Sequence, residues 1–205
     1  MAYMVFTTAT TSNPTQLGED YLRVGGELLK GAGATRLAVS QSLAAGEGTG
    51  SVAVTSIWDS LDTAMTALTS FRADERVQAD MKANEVVPIS RIVTVIDEER
   101  GTPEGAFVGA TFGAATIPDP NRTTELADVS GELMTGAGCN GVRLVTAVAA
   151  GEQTGMAIGL IYTDSLDAWA AGQQAAAGSD TLKGLFSALG MQIGGRSISR
   201  VIGTA

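Results

Sequence analysis

The sequence contains no histidine and only one cysteine, Cys139. Histidine is the commonest general base and metal ligand in proteins and the proximal ligand of most haem sites, so sites of these kinds are not expected. A single thiol can form neither an intramolecular disulfide nor a thiolate cluster for zinc or for iron and sulfur. The sequence also lacks a dinucleotide-binding fingerprint. We therefore expect no metal, haem, flavin or other cofactor.

Basic and aromatic residues are also few. The 205 residues include 13 Lys or Arg against 22 Asp or Glu, which gives a net charge of -9, and 5% are aromatic. Such a chain offers few cations for phosphates and few rings for stacking on bases, so neither nucleic acid nor an anionic membrane is expected as a partner. No apolar run approaches the roughly eighteen residues of a membrane span, and residues 1–10 lack a secretory signal pattern. The expected location is the cytoplasm.

The sequence does contain an internal repeat. Residues 26–33, 44–50 and 59–62 recur as residues 131–138, 149–155 and 164–167, at a constant spacing of 105 positions. A constant spacing over three blocks predicts a tandem duplication. Ile-Ser-Arg-Ile at 89–92 also matches Ile-Ser-Arg-Val at 198–201, at a larger spacing. This last match predicts a short insertion before the final strand of the second copy.

The hydrophobic periods change in the same order in both copies. Alternating β-branched and aromatic residues predict strands, and apolar residues spaced three and four apart predict helices. The helices are expected to begin near Asn13, at Asp59 or Ser60, and at Ser165. In the first copy, a further helical piece contains Val77 and Met81. The predicted strands are 3–10, 35–43, 51–58 and 89–96, then 106–114, 142–148, 156–162 and 197–202, with one helix of the second copy at about 121–135.

Each copy therefore has the βαββαβ order of a ferredoxin-like repeat, and the predicted fold class is α+β. We expect repeats at 1–97 and 105–205, joined by a polar linker at 98–104 that contains Gly101 and Pro103. A sheet covered by helices on one face leaves its other face bare, and two such faces can be buried against each other. The sequence thus predicts a single barrel made from both repeats.

Three segments resemble a known family. They are Gly-Ala-Thr-Arg-Leu at 33–37, the glycine-rich hairpin at 46–50, and Ser-Ile-Trp-Asp-Ser-Leu-Asp-Thr-Ala at 56–64. They are similar to the dimeric α+β barrel superfamily, in particular its antibiotic biosynthesis monooxygenase branch, and the resemblance covers both copies. It implies a pseudo-dimeric barrel within one chain. Members of the superfamily include cofactor-independent oxygenases of polyketide aromatics, haem-degrading oxygenases, isomerases and proteins of unknown role, so the fold fixes no reaction.

The sequence departs from the family pattern in two places. The histidine that the resemblance would place on the helix after Trp58 is missing from both copies, and Thr163 stands in the second copy where the first has Trp58. Both departures argue against haem ligation of the usual kind.

Four arginines are candidate site residues. Arg91 and Arg200 occupy matching places in the repeated Ile-Ser-Arg motif, and Arg36 and Arg143 lie on the strand face opposite the leucines and valines. A buried guanidinium could hold an enolate, a carboxylate or superoxide. We assign Arg143 and Arg200 to catalysis and Arg36 and Arg91 to ligand binding. The alternative is that these arginines pair with carboxylates or lie at sheet edges.

Three aromatic residues complete the predicted site. Trp58 and Tyr162 end equivalent strands, and Trp169 begins the following helix of the second copy. Such residues can stack on a planar ligand, or they can fill the layer between helix and sheet. We assign a catalytic hydroxyl to Tyr162 and ligand contacts to both tryptophans. Arg143 and Tyr162 favour the second copy as the working half.

Three functions remain open at this point. The first is a cofactor-independent monooxygenase, oxygenase or isomerase that acts on a small planar organic substrate. For such a reaction the protein mainly has to orient the substrate and stabilise a substrate anion, and a chain without histidine can do both. The second is a non-catalytic barrel that binds a small ligand, and the third is a structural or assembly protein with a filled barrel. Further association into a homo-oligomer also stays open.

Overall fold

The structure is a computed structural model that describes residues 1–117 and 119–205. The chain divides into two compact units. The first contains Met1–Val95 and Arg200–Ala205, and the second contains Ile96–Ser199. Both units combine helices with antiparallel strands, so the predicted α+β class is confirmed.

The elements follow each other in the same order in both halves of the chain. The first half contains β1 (Ala2–Thr10), α1 (Pro14–Gly25), a π-helical turn (Gly26–Lys30), β2 (Ala34–Ala44), β3 (Val52–Trp58), α2 (Leu61–Ala73), α3 (Glu75–Ala83) and β4 (Val87–Gly101). The second half contains β5 (Phe107–Ala114), α4 (Pro120–Gly136), β6 (Gly141–Ala149), β7 (Met156–Thr163), α5 (Leu166–Gly178), α6 (Asp180–Ala188) and β8 (Gln192–Thr204). No helix that the structure describes is long and apolar enough to cross a membrane.

The strand order is also the same in the two units. The first unit has the order β4-β1-β3-β2-β8, and the second has β8-β5-β7-β6-β4. The division of the chain after Val95 and after Ser199 explains why β4 and β8 occur in both series. In each unit the middle strand pairs antiparallel with its two neighbours. That the two halves together form one barrel stays a prediction from the sequence.

Side-chain caps begin the helices at the places that the sequence predicts. Asn13 accepts a hydrogen bond from the amide of Gln16, and Pro14 is the first helical residue of α1. Ser60 and Ser165 accept hydrogen bonds from amides three residues later. A short polar side chain at such a position satisfies an amide that has no partner within the helix. These local interactions explain why the helix starts are predictable.

The helix of the first half has one residue more than its counterpart. The helix begins at Pro14 and α4 begins at Pro120, a spacing of 106. Gly31, directly after the π-helical turn, and Gly136, the last residue of α4, are 105 positions apart. The π-helical turn Gly26–Lys30 accommodates the extra residue, because a π-helical turn holds one more residue than an α-helical turn.

The predicted linker is shorter than expected. β4 extends to Gly101, so residues 98–101 are strand, and only residues 102–106 connect β4 to β5. The polar composition suggested a linker, but polar partners face this part of the strand. Glu98 accepts a hydrogen bond from the hydroxyl of Thr124 at 2.6 Å, and Arg100 pairs with Asp128 on α4 at 2.6 Å.

The predicted insertion before the last strand is absent. Helices α3 and α6 begin and end 105 positions apart, and β4 and β8 also begin 105 positions apart, at Val87 and Gln192. The final strand therefore starts five residues before the predicted 197. This start was not predicted because residues 194 and 195 are glycines, which have no β-branched or aromatic side chain to indicate a strand.

Candidate functional site

The second unit contains a cavity with a volume of about 700 Å³. It lies between helices and sheet, and every α-helix and strand of the unit contributes to its walls. Most of the wall is apolar, with Leu126 from α4, Leu144 from β6 and Leu182 and Phe186 from α6. Cavities that bind small organic molecules in proteins have about 300–1,000 Å³ and mostly apolar walls. This cavity has the size and composition of a ligand site.

Small side chains at three positions of the second unit leave this space open. Ala176, Gly159 and Ala157 line the cavity, and the residues 105 positions earlier are Phe71, Val54 and Val52, which line the cavity of the first unit. One position shows the opposite difference in size, because the second unit has Phe186 where the first unit has Met81. The cavity of the first unit is smaller, at about 320 Å³.

Asp97 and Thr146 provide a polar group in the wall of the larger cavity. The Thr146 hydroxyl donates to Oδ2 of Asp97 at 2.7 Å. Desolvation raises the pKa of Asp97, the Thr146 hydrogen bond lowers it, and the negative charge of Glu98 raises it, with a net upward shift. A carboxyl group with a raised pKa is a better proton acceptor than an ordinary one. No sequence pattern indicated this role, because Asp97 adjoins the predicted linker.

Arg196 and Lys183 are the cations of the same wall. Lys183 forms an ion pair with Asp180 at 3.2 Å. Arg196 lies on β8, is exposed, and forms no ion pair with any carboxylate in residues 1–117 and 119–205. An arginine without a carboxylate partner beside a cavity can receive an anionic group.

Arg196, and not Arg200, corresponds to Arg91. Strands β4 and β8 begin 105 positions apart, and Arg91 and Arg196 are separated by the same spacing, each in the wall of its own cavity. The repeated Ile-Ser-Arg motif therefore misassigned the pair. The constant spacing of the earlier blocks was the signal that would have identified Arg196.

The cavity of the first unit contains an aromatic pair. Tyr21 and Phe71 meet edge to face, with ring centroids 5.6 Å apart and an interplanar angle of 80°. Tyr21 is 9% exposed, and its burial raises the pKa of its hydroxyl. Arg91 acts in the opposite direction, since its positive charge lowers that pKa. The two rings fill space that remains open in the second unit.

The structure brings Arg143 and Tyr162 together, as the sequence suggested. Nη1 of Arg143 donates to the Tyr162 hydroxyl at 3.2 Å, and the guanidinium carbon lies 5.6 Å from the centre of the ring. Nε of Arg143 donates to the carboxylate of Glu99. This pairing fits the alternative in which the arginines pair with carboxylates. Both Arg143 and Tyr162 are buried, but neither lines the 700 Å³ cavity.

The two tryptophans pack within their units. Trp58 is fully buried in the core of the first unit, and its Nε1 donates to the Ser56 hydroxyl at 2.8 Å. Trp169 packs on the cluster that contains Cys139 and Val142, and its indole lies over Gly109. Neither residue lines a described cavity. These positions fit the alternative in which aromatic residues fill the layer between helix and sheet.

The three other predicted arginines lie apart from the larger cavity. Arg91 lines the smaller one, and its Nε donates to the Thr7 hydroxyl at 3.0 Å. Arg200 is exposed and donates to the Gln41 side chain at 3.4 Å. Arg36 is partly buried on β2 and lines neither cavity.

Comparison with known proteins shows the fold. No protein-family model and no curated protein matches the sequence. Among solved structures, a provisionally assigned chlorite dismutase is 12% identical, with a TM-score of 0.62 over 98% of this chain and 94% of that one. An anthrone oxidase-like protein is 12% identical, with a TM-score of 0.57 over 100% and 92%. A provisionally assigned monooxygenase from Lactobacillus acidophilus NCFM is 8% identical, with a TM-score of 0.56 over 98% and 95%. The chain shares the mixed α+β fold of these proteins.

The residues of the larger cavity do not suit a haem. An axial haem ligand is usually histidine, cysteine, methionine or tyrosine. The chain has no histidine, and neither Cys139 nor any tyrosine lines the cavity. Met134 and Met191 do line it, but methionine usually ligates haem together with histidine. Within residues 1–117 and 119–205, no three Asp, Glu or Cys side chains are grouped closely enough to hold a metal ion.

Proposed function

We propose that the second unit binds a small, planar organic molecule in its 700 Å³ cavity. The observation that carries the proposal is the replacement of Phe71, Val54 and Val52 of the first unit by Ala176, Gly159 and Ala157. A packed protein interior rarely keeps such a space, because each lost side chain removes favourable contacts. A bound ligand restores those contacts and accounts for the open cavity.

We further propose that the protein converts its ligand by cofactor-independent oxygenation. Arg196 and Asp97 lie in the wall of one cavity, so an anion acceptor and a proton acceptor can meet the same ligand. The anthrone oxidase-like and monooxygenase-named proteins with this fold support the same reaction class. Arg143, Tyr162 and Arg200, the catalytic residues predicted from the sequence, do not line this cavity, and Arg196 and Asp97 are the stronger candidates.

The proposed reaction balances as R₂CH₂ + O₂ → R₂C=O + H₂O, with an anthrone as the test substrate. Asp97 accepts a proton from the acidic CH₂ group, and Arg196 stabilises the enolate oxygen. The carbanion reduces dioxygen and forms a C–O bond, and the peroxide takes up a proton. Loss of water from the hydroperoxide gives the ketone. Dioxygen is the oxidant, so no flavin or metal is required.

We also propose that the chain is a tandem duplication of ferredoxin-like repeats. The equal element order, the equal strand order and the constant spacing of the helix starts support this origin. Duplicated halves can diverge, and the unequal cavities are the expected result. The second half has the larger of the two cavities, and we assign the proposed reaction to that half.

Calorimetric titration with 1-naphthol, a planar probe, tests the binding proposal. The wild-type protein should bind one probe molecule per chain, and Ala176→Phe should weaken binding at least about tenfold, because the Phe71-like ring occupies the cavity. The matched control is Ala175→Phe, on the exposed side of α5. Equal affinities of the two variants would contradict the proposal, as would the absence of saturable binding to the wild type.

A further inference from the structure

The smaller cavity of the first unit has polar groups that the packing of the unit does not use. Tyr21 is 9% exposed, and no hydrogen bond joins its hydroxyl to any other residue in the described part of the chain, 1–117 and 119–205. Among the described residues, the side-chain polar atoms that are fully buried without a partner are Oγ of Ser42 and Nε1 of Trp169. The Tyr21 hydroxyl is not one of them, so it keeps access to the open space of the cavity that Tyr21 lines. The hydroxyl is therefore available to a ligand.

Arg91 and Arg72 contribute positive charge to the wall of this cavity. Neither forms an ion pair with a carboxylate among the residues that the structure describes, although Nε of Arg91 donates to Thr7. The remaining N–H groups of Arg91 are free to bind an anion. Guanidinium groups bind carboxylates with two parallel hydrogen bonds, which gives both affinity and a fixed orientation.

The acidic residues of the same wall are already paired. Asp20 accepts hydrogen bonds from Arg23 at 3.0 Å and from Asn84 at 3.2 Å, and Asp80 pairs with Arg23 at 3.4 Å. Arg23 contacts both carboxylates but neutralises only one of their two negative charges. With Arg72 and Arg91 included, three positive charges face two negative ones, so a net positive charge remains for a ligand.

The rest of the wall is apolar and partly aromatic. Phe71 meets Tyr21 edge to face, and Leu68, Val77 and Met81 complete the surroundings. A volume of about 320 Å³ is at the lower end for ligand cavities, so it suits a single ring. The aromatic ring of a ligand would pack favourably against the rings of Tyr21 and Phe71 and against the sulfur of Met81.

We propose that this cavity is a second ligand site, which binds a single-ring aromatic monocarboxylate. Arg91 and the Tyr21 hydroxyl hold the carboxylate, and the ring of the ligand packs against Phe71. The site is separate from the 700 Å³ cavity, since the two cavities share no lining residue. Ligand binding in the first unit can therefore be measured independently of the function proposed for the second unit.

The test is calorimetric titration of the full chain with benzoate, with benzamide as a neutral ligand of the same shape. Benzoate should bind with a stoichiometry of one, at least about tenfold more tightly than benzamide. Arg91→Gln should weaken benzoate binding at least about tenfold and Tyr21→Phe about threefold to tenfold, whereas Arg91→Lys should retain part of the affinity. Arg91 is exposed, so its substitution should leave the fold intact.

Two further variants locate the site. Arg200→Gln removes an exposed arginine of the same unit that does not line the cavity, and Ala176→Phe fills the other cavity. Both should bind benzoate like the wild type. A wild-type protein that shows no saturable benzoate binding overturns the proposal, and so do equal losses in Arg91→Gln and Arg200→Gln. Loss of benzoate binding in Ala176→Phe would place benzoate in the second unit and also overturn it.

Discussion

Leu37 and Ala205 exchange two backbone hydrogen bonds. The amide of Leu37 donates to the carbonyl oxygen of Ala205 at 2.8 Å, and the amide of Ala205 donates to the carbonyl oxygen of Leu37 at 3.0 Å. Residues 200–205 thus pair with β2 and belong to the first unit, although they end the second half of the sequence. Ile202 adds apolar contact, since it packs on the core of that unit beside Gly18. The first unit is incomplete without the end of the chain.

Deletion of residues 200–205 should therefore destabilise the first unit. The loss combines several backbone hydrogen bonds with the burial of Ile202, and we expect about 3 kcal/mol or more. Thermal unfolding measured by circular dichroism would show a lower Tm. Replacement of Ile202 alone by alanine should give a smaller decrease, because it leaves the backbone pairing in place. An unchanged Tm of the deletion variant would refute the assigned role.

Residues 1–97 expressed alone should not form a stable, soluble monomer. This fragment lacks the strand that pairs with β2, and it leaves Leu37 and its neighbours at an open edge. Unpaired strand edges associate with other chains. Size-exclusion chromatography and urea unfolding test the expectation. A monodisperse fragment that unfolds cooperatively would contradict both this prediction and the expectation of one barrel from two repeats.

Gly109→Ala should be far more damaging than Gly159→Ala. A Cβ atom at Gly109 would overlap the indole nitrogen of Trp169, whereas one at Gly159 would lie 3.6 Å from Leu144, an ordinary contact. We expect a loss of about 1–3 kcal/mol for Gly109→Ala and a change near zero for Gly159→Ala. Denaturant unfolding of both variants gives the comparison. Similar losses would mean that Trp169 can move aside.

Arg143→Met should lower stability without a matching loss of naphthol affinity. Arg143 is 4% exposed and bonds to Glu99 and Tyr162, but it does not line the larger cavity. Loss of one partner from a buried polar network costs about 2 kcal/mol. Denaturant unfolding and calorimetric titration measure the two effects. A tenfold weaker naphthol affinity with unchanged stability would instead support the catalytic role predicted from the sequence.

Oxygen uptake with anthrone should depend on ionised Asp97. Because the pKa of Asp97 is raised above its ordinary value of 3.8, the rate should fall as the pH is lowered through a midpoint above that value. Asp97→Asn should abolish this acid limb and lower kcat at least about a hundredfold. Asp119→Asn, a change to another carboxylate of the cavity wall, is the control and should keep the limb. A variant Asp97→Asn with the wild-type profile would exclude Asp97 as the base.

Much of the candidate site was outside the reach of sequence reasoning. Arg143 and Tyr162 were correctly expected to lie close together, because alternation along two strands fixes which side chains share a face. The size of the cavity depends on the difference in side-chain volume between Phe71 and Ala176. The effect of this difference can be judged only when the helices and strands that face these residues are known. Arg196 was missed because a four-residue motif suggested Arg200, whereas the pairing of β8 follows the constant spacing.

The sequence by itself determined the order of the elements, the helix starts at Asn13, Ser60 and Ser165, and the likeness of the two halves, because capping and periodicity act between neighbours in the chain. Only the tertiary structure decided that residues 98–101 are strand, that residues 200–205 complete the first unit, and that the second unit holds the larger cavity. These features depend on backbone hydrogen bonds and packing between residues far apart in sequence. Neither local pattern nor composition specifies those contacts.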